Sequence, residues 1–284
     1  MTIFSVHKRF ELKNAEGEVI LTCEPFAITD ERFVLLRGEN GSGKSVFIKF
    51  LTGNLPNSLT STDNKILTVG GEHYVANNYS ASKAAGLVAV FQDDDLISTF
   101  KVVDHFFLQH SQNLNRNYIV LLFQIFFNVV MTPVVVAYIV IRQFLDPRVV
   151  IVIDRFLSFN PDWNAKKEIS DNASSKFVEF GLDEAKVKDV LQKKPTELFG
   201  GARAMTKLCN AILNKNIRVL ILDEAFSGVQ KETWSKCIDA LKKRAVTENF
   251  TIINVSHNEE ECSYWKAEGE LKIDDGTLYY ARTN

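Results

Sequence analysis

The sequence predicts an α/β fold with a parallel-centred mixed sheet, an antiparallel strand layer and a helical subdomain. Three observations predict it. Gly38-Glu39-Asn40-Gly41-Ser42-Gly43-Lys44-Ser45 fits the pattern G-x-x-x-x-G-K-[ST], between an apolar run, Phe33 to Leu36, and a helix start, Val46 to Leu51. Val219 to Leu222 is a second apolar run, closing on Asp223 and Glu224, and reads as a buried parallel strand with acids at its C-terminal edge. Residues 2–36 alternate and carry turn signals at Asn14 to Gly17 and Thr29 to Glu31, which read as antiparallel strands.

Bulk composition agrees with one such domain over residues 1–284. The chain has 284 residues and is 46% hydrophobic, enough for a sizeable core. A formal net charge of −2 gives no general pull toward nucleic acid or acidic membranes. Cys23, Cys209, Cys237 and Cys262 are scattered without metal spacing, so buried thiols in a reducing compartment are expected. Met1 to Phe10 has no apolar stretch of a secretory leader, so the expected location is cytoplasmic.

In chain order, Phe10 comes first among the candidate site residues. It follows Lys8 and Arg9, and the reading is open between a ring that stacks on adenine and a core phenylalanine, one of 21. The Gly38–Ser45 loop is then a phosphate cradle: glycines turn successive N–H groups toward one point, and the helix N-terminus adds its positive end. Lys44 would reach the β- and γ-phosphates, and the Ser45 hydroxyl would ligate Mg²⁺. The helix ends near Gly53.

Residues 54–80 read as polar and loop-like around two short strands. Leu87 to Phe91 is the next apolar run, ending at Gln92, whose carbonyl oxygen suits Mg²⁺ or an attacking water. Amphipathic helices are expected near Ala165 to Phe180 and Asp183 to Lys193, with a strand-like run at Val149 to Ile153. Thr196 to Arg203 opens a helix through Leu213. Gly200 and Gly201 at its start either form a second anion site or are a plain helix-start turn.

At the acidic run, Asp223 would hold Mg²⁺ through water and Glu224 would polarise the attacking water; the alternative is a solvated acidic turn. Thr251 to Ser256 is another buried strand. His257, just past its end, is either a satisfied structural residue or a contact to a γ-phosphate. Leu271 to Tyr280, turning at Asp274-Asp275-Gly276, closes the chain as a hairpin.

In this order the parts resemble an ATP-binding cassette (ABC) ATPase of the transporter type, over nearly the whole chain. Gly38 to Ser45 resembles the Walker A loop, Phe91-Gln92-Asp93 the Q-loop, Leu198 to Ala202 the signature motif, Leu220 to Glu224 the Walker B strand with its catalytic glutamate, and His257 the switch histidine. Phe10 falls where the family keeps an adenine-stacking aromatic. The resemblance implies a P-loop NTPase fold and Mg²⁺-dependent ATP hydrolysis. It also implies a head-to-tail dimer in which each ATP lies between the Walker A loop of one subunit and the signature of the other. It further implies a second ABC subunit, identical or different, a transmembrane partner, and a place at the inner face of a membrane. Nucleic acid is not an expected partner.

Three departures matter. Phe199 stands where the family has serine, which removes a hydroxyl donor to the partner's γ-phosphate at a cost of roughly 1–3 kcal/mol. Ala202 replaces the glutamine that closes the signature. Ala225 and Gln230 replace a proline and an aspartate after Walker B. The half of the site serving the chain's own nucleotide is intact, while the half offered to a partner is weakened. This suggests pairing with a different ABC subunit. Alternative readings are a soluble ABC ATPase in nucleic-acid maintenance, translation or cluster assembly, and a weakly hydrolysing regulatory subunit.

The helical subdomain, about residues 102–195, is expected to carry an apolar insertion at about 112–157. Asn117 to Ile141 has no charged residue and lies between Arg116 and Arg142. One membrane crossing there would separate Lys44 from Glu224, which must meet one ATP. Pro133 leaves arms shorter than the roughly 17 residues a crossing needs. The open readings are an arm docking on a partner, a hairpin dipping into a membrane interface, and a helix packed in the subdomain.

Overall fold

The computed structural model describes residues 2–92, 96, 100–106, 161–198, 200–213 and 216–283, with side chains from residue 170 onward in the helix that begins at Pro161. The apolar segment 117–141, the run 149–153, Asp93 and Phe199 lie outside the described residues.

Among the described residues the chain forms two sheets. β9 (Leu87–Val90), β10 (Val219–Asp223), β11 (Thr251–Val255), β5 (Phe33–Gly38) and β12 (Gly269–Asp274) lie side by side, each parallel to the next. The central β10 and β11 are buried on both faces, whereas β12 at the margin alternates buried and exposed residues. β13 (Thr277–Arg282) closes the hairpin with β12, and β3 (Val19–Cys23), β2 (Phe10–Lys13) and β6 (Thr60–Ser61) extend the same sheet. A separate antiparallel sheet has the order β4 (Phe26–Ile28), β1 (Phe4–Val6), β7 (Leu67–Val69), β8 (Glu72–Tyr74). The expected parallel centre and antiparallel layer are both present.

The core divides at the large sheet. Leu220 and Leu222 face one buried cluster, while Val219 and Ile221 face the other, as strand alternation requires. Helix α1 (Lys44–Thr52) buries Phe47, Ile48, Phe50 and Leu51 on the second side, with the antiparallel sheet. The first side holds α3 (Pro161–Glu179), α4 (Glu184–Gln192), α5 (Gly201–Ile212) and α6 (Lys231–Glu248), through Phe177, Leu191, Leu208 and Trp234.

Three stretches differ from expectation. The region from residue 54 to 80 holds three short strands, β6 to β8, and the start of helix α2 (Tyr79–Ala84), whose N-cap Asn78 accepts a bond from the Ala81 N–H. The helix expected from Thr196 begins only at Gly201. Pro195–Glu197 forms its own tight turn, with the Glu197 carboxylate accepting from the Lys194 N–H at 2.7 Å, and Gly200 turns to φ 48°. The third difference is the pair of helices α6 and α7 (Glu259–Trp265), which the chain-order reading did not identify.

The C-terminal hairpin is fastened near Glu31, which is 4% exposed. Burial pushes its carboxyl up. The neighbouring Tyr280 hydroxyl, the backbone N–H groups of the turn and the Arg282 guanidinium outweigh that, so the value falls from 4.5 to about 2. A depressed carboxyl adds stability above its unfolded value, and the gain disappears as pH falls from about 4.5 toward 2. Allowing for solvent around Arg282, the gain is about 1 to 2 kcal/mol. Glu31→Gln is therefore expected to lower stability at pH 7 by that amount and to flatten the acid limb. Denaturant melts at pH 7 and pH 3 check this, and an unchanged difference between the two pH values would contradict it.

Candidate functional site

The Gly38–Ser45 loop leaves β5 and enters α1 at the C-terminal edge of the parallel strands. Gly41 and Gly43 sit at φ 81° and 102°, a region other residues rarely adopt. A Cβ on Gly38 would meet Ser42 Oγ at 2.6 Å. Ser42 Oγ is itself buried without a hydrogen-bond partner. A close-packed glycine turn with an orphaned hydroxyl suits an anion, and the residues present fit a phosphate chain. Glu39, Asn40 and Ser45 are exposed beside it.

Lys44 is 8% exposed and donates to the carbonyls of Gly38 and Glu39 at 2.7 and 2.8 Å. Burial lowers its pKa, while Glu224 and Asp223 pull the other way. Asp223, 6% exposed, is pushed up by burial; the neighbouring Ser45 hydroxyl opposes this and Glu224 adds to it. A buried carboxylate beside a serine hydroxyl fits a hard divalent cation such as Mg²⁺. Among the described residues there is no cluster of three or more His, Cys, Asp or Glu. Such a cation would complete its shell with phosphate oxygens and water.

Adjacent strands bring in the remaining groups. Asp223 pairs in register with Val255, so β10 and β11 end together. Glu224 follows at φ 49°, a strained position for a side chain of its size, and its N–H donates to the Val255 carbonyl at 3.0 Å. His257 Nε2 lies 3.3 Å from Glu224 Oε1. Gln92 is two residues past Val90, which pairs with Leu222, so it stands at the same edge. Lys207 of α5 donates to the Gln92 and Phe91 carbonyls at 2.9 and 3.2 Å.

Two sets of sequence candidates are not brought here. Gly200 and Gly201 start α5, whose buried residues Met205 and Leu208 belong to the cluster opposite that of α1. Phe10 corrects the adenine-stacking reading. Its ring is 2% exposed and stacks on Phe50 of α1, centroids 4.9 Å apart, leaving no face for a nucleotide. Phe10 and Leu12 are buried while Glu11 and Lys13 are half-buried, so Phe10 is on the inward face of β2.

Sequence reasoning missed Lys207, Asn254, Ser256 and Glu261. For Glu261 a signal exists: Asn258 followed by three glutamates marks a helix start.

The family model described as ABC transporter matches residues 25–227. The ribose import ATP-binding protein RbsA 1 of Rhizobium etli is 24% identical over 251 residues, covering 88% of this chain and 38% of its own length. The chain thus spans about two fifths of that relative. The energy-coupling factor transporter ATP-binding protein EcfA1 of Lactobacillus delbrueckii subsp. bulgaricus is 29% identical over 103 residues, 36% of either protein. Among solved structures, an ATP-binding cassette captured as a post-hydrolysis dimer with ADP and Pi has a TM-score of 0.65 at 14% identity over 99% of both chains. The cbiO1 protein of Clostridium perfringens, part of the cbiONQ transporter complex, has a TM-score of 0.61 at 15% identity, covering 99% of this chain and 88% of its own.

Proposed function

The chain belongs to the ABC transporter family, and from that premise we propose that it is a Mg²⁺-dependent ATPase subunit that drives a membrane transporter. The observation that carries this reading is the buried Lys44 facing Asp223 and Glu224 at one sheet edge, with His257 3.3 Å from Glu224.

Each residue has a role. Lys44 and the loop N–H groups bind the phosphates, with the Lys44 ammonium moving from the Gly38 and Glu39 carbonyls to phosphate oxygens. Ser45, Asp223 and Gln92 would hold Mg²⁺, which supplies charge neutralisation along the phosphate chain when bound. Glu224 accepts a proton from the water aimed at the γ-phosphorus, and its strained backbone aims the carboxylate. His257 orients Glu224 and donates toward the γ-phosphate.

The layering supports a dimer. The Walker A helix α1 and the signature helix α5 pack on opposite faces of the sheet. One nucleotide meets a phosphate loop and the Gly200-Gly201 turn only when two chains face each other. With Phe199 and Ala202 in the signature, the proposed partner is a different ABC subunit. Relatives whose names specify ribose import and energy-coupling factor transport support a transmembrane partner and a place at the inner face of a membrane. No described helix is long and apolar enough to cross one.

The test is ATP binding and turnover by the purified chain with and without Mg²⁺, with oligomeric state followed by light scattering. The expected result is tight MgATP binding with slow turnover alone and faster turnover after a second ABC subunit is added. No nucleotide binding at the loop would overturn the reading.

A further inference from the structure

We infer that Glu261 is a positioning residue for hydrolysis: a buried carboxylate that fixes the Ser256–His257 turn so that His257 reaches Glu224. This rests on the ATPase reading above.

Glu261 is 3% exposed in the first turn of α7. Its Oε1 accepts from Asn254 Nδ2 at 3.0 Å, and its Oε2 from Ser256 Oγ at 2.7 Å. Ser256 Oγ in turn accepts from the Asn258 N–H at 3.1 Å, and the Ser256 carbonyl accepts from the Cys262 thiol at 3.5 Å. The Asn258 side chain caps α7 by accepting from the Glu260 and Glu261 N–H groups. Every residue flanking His257 from 254 to 258, except Val255, is therefore tied to α7 through a side chain. Val255 is held by the ladder of β11.

His257 itself has a side chain 46% exposed. An imidazole that open keeps one pose only if its backbone is held, and a misplaced proton donor or acceptor is costly. The carboxylate is suited to the task because it accepts two bonds at once in a fixed plane, and without them a buried acid would be expensive. The two preceding residues reach other parts of the site. Glu259 pairs with Arg37, next to the phosphate loop, at 3.5 Å, and Glu260 pairs with Lys231 at the start of α6. One helical turn thus contacts Arg37 before the glycine loop, Lys231 at the start of α6 and the turn carrying His257, and Glu261 is its buried member.

The experiment uses the full chain. The His257 ring resonance is assigned by its loss in His257→Ala, and its displacement on Glu224→Gln is the measure of contact between the two side chains. That displacement is recorded again in Glu261→Ala, Glu261→Gln and Ser256→Ala backgrounds, alongside kcat and KM for MgATP. Expected are a displacement cut by half or more in Glu261→Ala and Ser256→Ala, and kcat down about 10-fold with KM within about twofold. Glu261→Gln, with its amide oxygen accepting from Asn254 and its NH₂ donating to Ser256 Oγ, keeps both contacts and should keep most of both quantities. Ser256→Ala removes the hydroxyl's two hydrogen bonds, the one donated to Glu261 and the one accepted from the Asn258 N–H, and keeps the carboxylate, so it reports even where Glu261→Ala does not fold. An unchanged displacement in Ser256→Ala, or a loss of kcat in proportion to thermal stability, would overturn the inference. Absence of turnover in every variant while the displacement still depends on Glu261 would remove the ATPase reading and leave the positioning intact.

Discussion

Replacing Glu224 with glutamine is expected to lower ATP turnover by about 10²- to 10⁴-fold while leaving ATP affinity within about threefold. The geometry motivates both halves. Glutamine has the size of glutamate, so it can occupy the φ 49° position after β10 and keep the N–H bond to the Val255 carbonyl. Its amide oxygen can still accept from His257 at the 3.3 Å separation seen for the carboxylate. It cannot take a proton from water at neutral pH. Binding survives because the cradle, Lys44 and Asp223 are untouched, so ATP is retained and any ATP-dependent dimer should persist for longer. Single-turnover kinetics with a fluorescent nucleotide titration separates the two quantities. A variant keeping a tenth of wild-type turnover would show that Glu224 is not the base.

The glycine loop of the proposed site was legible because its requirements are local. A glycine loop between a strand and a helix fixes where N–H groups point, whatever surrounds it, and Gly41 and Gly43 do sit at positive φ. Asp223 and Glu224 were legible for a related reason: an apolar run ending in acids places them at a strand end. Phe10 was misread in part although the signal was present. Phe-Glu-Leu-Lys alternates, and Phe10 shares its face with Leu12, which is fully buried. Helix α6 was hidden by its charge. Between Lys231 and Glu248 the apolar residues are few, yet Trp234, Cys237, Ile238, Leu241 and Ala245 recur at helical spacing and are all buried.

Other features are not written locally. That α1 and α5 lie on opposite faces depends on the strand order β9, β10, β11, β5, which no window of sequence contains. Glu261 reads as one exposed acid among three, and only the turn of α7 back onto the end of β11 brings Asn254 and Ser256 onto it. The layering has a chemical consequence. On the proposed reading each chain would hold the set for binding and activating one ATP while its Gly200-Gly201 turn would serve another molecule, so weakness at Phe199 and Ala202 would act on the partner's nucleotide.

Lys44→Ala is expected to weaken ATP binding about 100-fold, corresponding to about 3 kcal/mol for lost hydrogen bonds from a charged donor to the phosphates. The ammonium is well placed to contribute that much. It is 8% exposed, so solvent screens it little, and it lies among the Gly38 and Glu39 carbonyls, Asp223 and Glu224. Without it, the buried Asp223 and the half-buried Glu224 would meet an anionic ligand with no opposing charge from α1's first residue. Arginine should not rescue. Its planar fork is larger and more rigid than the point charge that both carbonyls accept from at 2.7 and 2.8 Å. The same substitution removes the donor to those carbonyls, so thermal stability should fall as well, and affinity must be read on protein shown to be folded. Calorimetric titration of ATP in the presence of Mg²⁺ checks the prediction. An affinity within about threefold of wild type would mean that the loop N–H groups alone bind the nucleotide, and that Lys44 is a structural clasp for the turn.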